Sequence, residues 1–246
     1  MPITPESART AFENAAAAWN WPGITYPKHL FYVRPLEGYP QSSTALTSFA
    51  CRLFGEFVRL LDVPPHQLFV TYKGADVAAH GQMNAALNTV LPLEAKERFG
   101  LDFGACSRAS TEVPWSIDLA MESETWPVKG KGRDPEVLFP DLVKLVHLRA
   151  THSVYFARIN GGRETINGNK RPKSARFLPV LEGVMKYWAQ LSGVAVTDTL
   201  TAIIVHTNSA GPWTYTIHTI SGQNAGSYAV QTTQVNEPAA GGAPVI

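Results

Sequence analysis

Apolar residues along this chain recur with two different periods, and the switch between them outlines the elements. Residues 43–61 carry Leu46, Phe49, Ala50, Leu53, Phe57, Leu60 and Leu61 at the i, i+3, i+4, i+7 spacing of one helix face, with Phe54 and Val58 widening it. That spacing predicts a central core helix, ended by Pro64-Pro65. A second helix over 178–191 has Leu181, Val184, Met185, Trp188 and Leu191 as its core face, Pro179 near its first turn and Gly193 as its C-terminal cap. Weaker helical patterns cover 5–19, 75–90, 92–99 and 135–151. The first opens on a capping Thr4 followed by Pro5 and Glu6, and sets Phe12, Ala15, Ala16 and Trp19 on one side.

Strands are predicted where the period shortens to two or β-branched and aromatic residues cluster. They are 67–72, 112–124, 153–159, 200–207, 213–220 and 227–235, with a short one at 28–33. In 112–124, Val113, Trp115, Ile117 and Leu119 alternate with smaller or polar residues. The last three strands are separated by turn residues and read as an antiparallel meander. The expected class is α+β: a mixed or antiparallel sheet packed against helices 43–61 and 178–191. A pure jelly roll does not fit so much helix. The expected organisation is an N-terminal arm over 1–42, one domain over 43–235, and a small-residue tail over 236–246.

Composition adds a different kind of information. The charged fraction is 17 %, against roughly 25 % in an average soluble domain. A surface that is polar but poorly charged is typical of subunits that meet one another. Two cysteines, Cys51 and Cys106, are too few for a disulfide framework. No secretion signal opens the chain and no apolar run reaches membrane-span length, so the expectation is a soluble protein made in a cytoplasm.

Charge is concentrated in one place. Residues 158–176 hold Arg158, Arg163, Lys170, Arg171, Lys173 and Arg176 against a single acid, Glu164, for a local +5 in a chain whose net charge is +1. Asparagines and glycines between them favour turns, and a helix follows. Cations, free backbone N–H groups and a helix N-terminus together suit an anion. Lys129, Lys131 and Arg133 form a second, smaller basic loop. Both loops are expected to meet phosphates, with Tyr155, Phe156 and Phe177 as flanking surfaces on which bases could stack.

Tests for chemistry return little. The seven histidines contain no His-Glu-x-x-His, and no Cys-x-x-Cys exists, so no metal and no cofactor are expected. His206 and His218 lie on predicted strands, where hydrogen bonding in place is the expectation. Gly130-Lys131-Gly132 lacks the third glycine of a dinucleotide loop, and no nucleophile elbow occurs. Glu122 and Glu124 would share one face of a strand and could act as acid and base. Glu122-x-Glu124, with Ser110-Thr111-Glu112 upstream, resembles the catalytic acid pair of ADP-ribosyltransferases over that handful of residues. The gap between the two elements is shorter than that family's order, and no arginine strand accompanies them.

The joint pattern leads to a structural subunit of a large homo-oligomer: a viral capsid or nucleocapsid protein, or a phage virion component. It would bind copies of itself and nucleic acid, RNA before DNA, with no membrane, and would assemble in a host cytoplasm. Trp19, Trp21, Tyr26, Phe31 and Tyr32 in the N-terminal arm are the expected assembly contacts. The alternative is an enzyme that uses Glu122 and Glu124 on a phosphorylated or nucleotide substrate. A regulatory protein with one flat apolar patch is the third reading.

Overall fold

The computed structural model describes residues 2–17, 41–63, 68–70, 101–107, 116–124, 139–160, 163–166, 169–172, 174–207, 214–224 and 226–234. In chain order the elements are α1 (Pro5–Ala17), α2 (Gln41–Leu60), β1 (Leu68–Val70), β2 (Phe103–Ser107), β3 (Ser116–Glu124), α3 (Phe139–Leu148), β4 (His152–Asn160), β5 (Arg163–Ile166), β6 (Asn169–Pro172), α4 (Ser174–Gln190), β7 (Thr199–Thr207), β8 (Thr214–Ser221) and β9 (Ala229–Gln234). The expected strand over 28–33, the helices over 75–90 and 92–99, and the tail lie outside the described residues.

Seven strands form one mixed sheet in the order β1-β2-β3-β4-β7-β8-β9, and β5 with β6 makes a separate two-stranded ribbon. β3, β4 and β7 run parallel, and every other pairing in the sheet is antiparallel. The class is therefore α+β with a mixed sheet and a C-terminal antiparallel meander, as the periodicity indicates. Parallel neighbours need crossover connections, and α3 and α4 supply them, between β3 and β4 and between β4 and β7.

The helices lie on both faces. Lys144 of α3 reaches Glu122, and Glu122 stands beside Tyr155 in register. Phe156, one residue on and so on the opposite face, meets Phe49 of α2 with ring centroids 5.5 Å apart. α1 packs on α2 and on β8, where Phe12 stacks on Tyr215 at 4.2 Å and meets Phe49 edge-on at 5.3 Å. The helix assigned on sequence to an arm thus buries Ala8, Ala11, Phe12 and Ala15 in the main core.

Cover on both faces explains the central strands. Leu119, Ala120, Met121 and Glu122 of β3 are all buried in succession, as are Val154, Tyr155, Phe156 and Ala157 of β4. Simple alternation is lost because neither face meets water. α2 and α4 keep the periodicity expected of them. α4 starts four residues before the expected helix, which buries Phe177, so Pro179 falls inside it on an exposed position. α2 ends with Asp62 in the left-handed region (φ 53°), and the Val63 N–H donates to the Val58 carbonyl at 3.0 Å. Gly193, at φ 86°, takes the same role just beyond α4. Among the described residues no helix is long and apolar enough to cross a membrane.

Candidate functional site

Charged residues lie towards the C-terminal ends of the parallel strands β3 and β4. β4 leaves the sheet there at Asn160. The chain then makes the β5–β6 ribbon before entering α4 at Ser174. In the ribbon Arg163 stands opposite Pro172, Glu164 opposite Arg171, Thr165 opposite Lys170 and Ile166 opposite Asn169. The glycine-asparagine stretch read as turns is therefore a short hairpin held by backbone pairing outside the main sheet. α4 follows it with no acid in its first turn, so no carboxylate there offsets the positive end of its dipole. Arg176 belongs to that first turn.

The expected cations do not all share this position. Arg158 is only 7 % exposed, within β4, on the face that Phe156 presents to α2. It is part of the body, where burial pushes its guanidinium pKa down. It follows Phe156 by two residues along one strand, so it points the same way. Lys173, Lys129, Lys131 and Arg133 lie outside the described residues, as do the assembly residues Trp19, Trp21, Tyr26, Phe31 and Tyr32. The flanking aromatics need correction. Tyr155, Phe156 and Phe177 are buried in the core and give bases no surface to stack on.

A separate acid cluster surrounds β3. Glu122, in β3, is 1 % exposed, and its Oε1 accepts from Lys144 Nζ at 2.9 Å. Lys144 Nζ also lies 3.2 Å from Asp141 Oδ1. Asp102 precedes β2, and its Oδ2 accepts from the Ser123 N–H and the Ser123 hydroxyl, both at 2.9 Å. Burial, reinforced by the nearby Asp102 charge, pushes Glu122 up to about 8 against the pull of Lys144. Burial also raises Asp102, although both bonds from Ser123 oppose the shift. For Lys144, burial works against the charge. Hydrogen bonding and attraction from Glu122 and Asp141 outweigh it, so the net shift is upward and the ammonium persists while Glu122 titrates. Tyr155 is pushed well up by burial, then by Glu124, Asp141 and Glu122, so its hydroxyl stays protonated. Glu122 and Glu124 do share a strand face, but Glu122 is covered and Glu124 only partly so.

A third polar group lies on the α3–α4 face of the meander. His206 Nε2 and His218 Nε2 each meet Thr216 Oγ1, at 2.8 and 2.9 Å, and His218 Nδ1 meets the Tyr228 hydroxyl. One hydroxyl proton serves two ring nitrogens, so Thr216 donates to one imidazole and accepts from the other. The imidazole that accepts from Thr216 is therefore neutral. Burial lowers His206, and burial together with His206 lowers His218 to about 4. His152, bonded to Thr199 Oγ1 at 2.9 Å, is likewise lowered by burial to about 4. The strand histidines are hydrogen-bonded in place, as read from the sequence. Among the described residues no three His, Cys, Asp or Glu side chains are grouped to hold a metal ion.

Sequence reasoning found Glu122 and missed its surroundings. Asp102, Lys144 and Tyr155 are 20 to 33 positions away from it, and only the β2–β3–β4 register and the α3 crossover bring them close. No local motif carries that information. No protein-family model matches the chain, and no curated protein is similar to it in sequence.

Proposed function

We propose that this protein is a structural subunit of a multi-copy particle, a viral capsid or nucleocapsid protein or a phage virion component, and that the β5–β6 ribbon contacts the packaged nucleic acid. The observation that carries the reading is the form of the basic segment. It is a hairpin separate from the main sheet, it bears Arg163, Lys170 and Arg171, and it leads into a helix N-terminus without an acid. Lys and Arg on such a ribbon suit phosphates of a single strand or a duplex alike. With Tyr155, Phe156 and Phe177 buried, contact is to phosphate and independent of sequence. RNA assembled in a host cytoplasm is the preferred polymer, and copies of the chain are the other partner.

The alternative, an enzyme using Glu122 and Glu124 on a phosphorylated or nucleotide substrate, needs Glu122 open to that substrate. Its carboxyl is buried beneath Lys144, which weighs against that use.

Fluorescence anisotropy with a labelled single-stranded RNA tests the ribbon. Each phosphate neutralised contributes about 0.7 to the slope of log affinity against log salt for single strands. The triple variant Arg163→Ala/Lys170→Ala/Arg171→Ala is expected to bind more weakly and to lower the slope by about 2. Equal affinity and an equal slope in the variant would refute the assignment.

A further inference from the structure

α4 has a face that nothing in the described part of the molecule covers. Its inner side buries Phe177, Leu181, Met185 and Trp188. On the opposite side Pro179, Val180, Gly183 and Tyr187 recur at three- and four-residue spacing and are exposed, Val180 at 45 % and Tyr187 at 56 %. Gly183 lies at the middle of this face. Glycine is a poor helix former, and a methyl group added there would meet nothing within 4 Å. Nothing among the described residues therefore calls for a glycine. A bare Cα does permit close approach of another helix from outside.

We propose that α4 pairs antiparallel with α4 of a second copy about a two-fold axis beside Gly183. The face is self-complementary in that arrangement, as an isologous contact must be. Val180 of each copy meets Tyr187 of the other, with the two glycines at the crossing. Charge selects the direction. Glu182 and Lys186 lie four residues apart on one flank, bonded at 2.6 Å, and Lys186 is also over the Tyr228 ring at 5.8 Å. Antiparallel pairing brings Glu182 of one copy towards Lys186 of the other. Parallel pairing about a two-fold axis would put the two copies of this flank on opposite sides of the contact, where Glu182 and Lys186 of the two copies do not meet. This inference deepens the multi-copy reading and rests on it, since it names the surface through which two copies meet.

The test uses the full chain with Gly183→Cys, which the open space at this position accommodates, and compares it with Val196→Cys, an exposed site away from the helix. The unsubstituted protein, with Cys51 and Cys106, sets the background. Under mild oxidation Gly183→Cys is expected to form a linked dimer at least about tenfold faster than Val196→Cys, because pairing raises the local thiol concentration. Tyr187→Lys, at an exposed position, is expected to shift sedimentation from paired to single subunits with an unchanged circular dichroism spectrum. Equal crosslinking rates, or particles that form as before in Tyr187→Lys, would overturn the α4 pairing and leave the multi-copy reading intact. A subunit that stays single at every concentration would overturn both.

Discussion

The covered carboxyl of Glu122 makes a prediction with a definite sign. Its folded pKa is about 8, raised from 4.5, so between those values the folded chain holds a proton that the unfolded chain has released. Stability from this group is complete below pH 4.5 and is lost as pH rises towards 8. The slope is about 1.4 kcal/mol per pH unit. The interval from pH 6.5 to 8 suits the comparison, because it lies above the folded values of His152 and His218, about 4 in each, and the tail of their titration from 6.5 in the unfolded chain is the same in a variant changed only at Glu122. Over that interval the native protein should lose about 2 kcal/mol relative to Glu122→Gln, whose amide still accepts from Lys144 but cannot ionise. For a domain of this size the corresponding change in Tm is roughly 4–8 °C. The assay is urea denaturation of both proteins at pH 6.5 and at pH 8, comparing midpoints at equal m. Stability differences that are the same at both pH values would mean that Glu122 is already ionised at neutral pH, and the account of the cluster would be wrong.

Other substitutions probe other parts of the fold. Phe12→Ala removes a ring packed between Tyr215 and Phe49 and should cost about 3–5 kcal/mol by thermal or denaturant unfolding, because α1 is part of the core and not an arm. Gly222→Ala places a methyl 2.0 Å from the Ala195 carbonyl oxygen and should destabilise by about 1–3 kcal/mol or more. The histidines give the opposite pH sign to Glu122: stability they support is present above pH 6.5 and lost as pH falls to about 4. His218→Gln should therefore flatten the acid side of the stability profile by about 1.4 kcal/mol per pH unit, whatever its cost at neutral pH.

How much of this was legible in the chain depended on where the apolar residues faced. α2 and the meander of β7, β8 and β9 were found with bounds within a few residues, since each element shows its own repeating signal. β2 was missed: Phe103-Gly104-Ala105-Cys106-Ser107 is short and has one large apolar residue. The ribbon was read as turns because its residues, Arg163 to Ile166 and Asn169 to Pro172, carry no alternation and its pairing needs no core. Arg158 was grouped with the ribbon by adjacency, although β4 runs on to Asn160 and keeps it inside. Adjacency alone also makes flanks of Tyr155 and Phe156, which the same strand keeps inside. The partners of Glu122 depend on strand register and a helical crossover, which are tertiary facts.

Sedimentation velocity of the natively purified protein, recorded at 260 and 280 nm together, bears most directly on the claim of a nucleic-acid-filled, multi-copy particle. The account predicts a boundary far heavier than the 26.8 kDa chain, with excess absorbance at 260 nm that nuclease treatment removes. A single boundary at subunit mass, with a protein-only absorbance ratio across the concentration range, would contradict it.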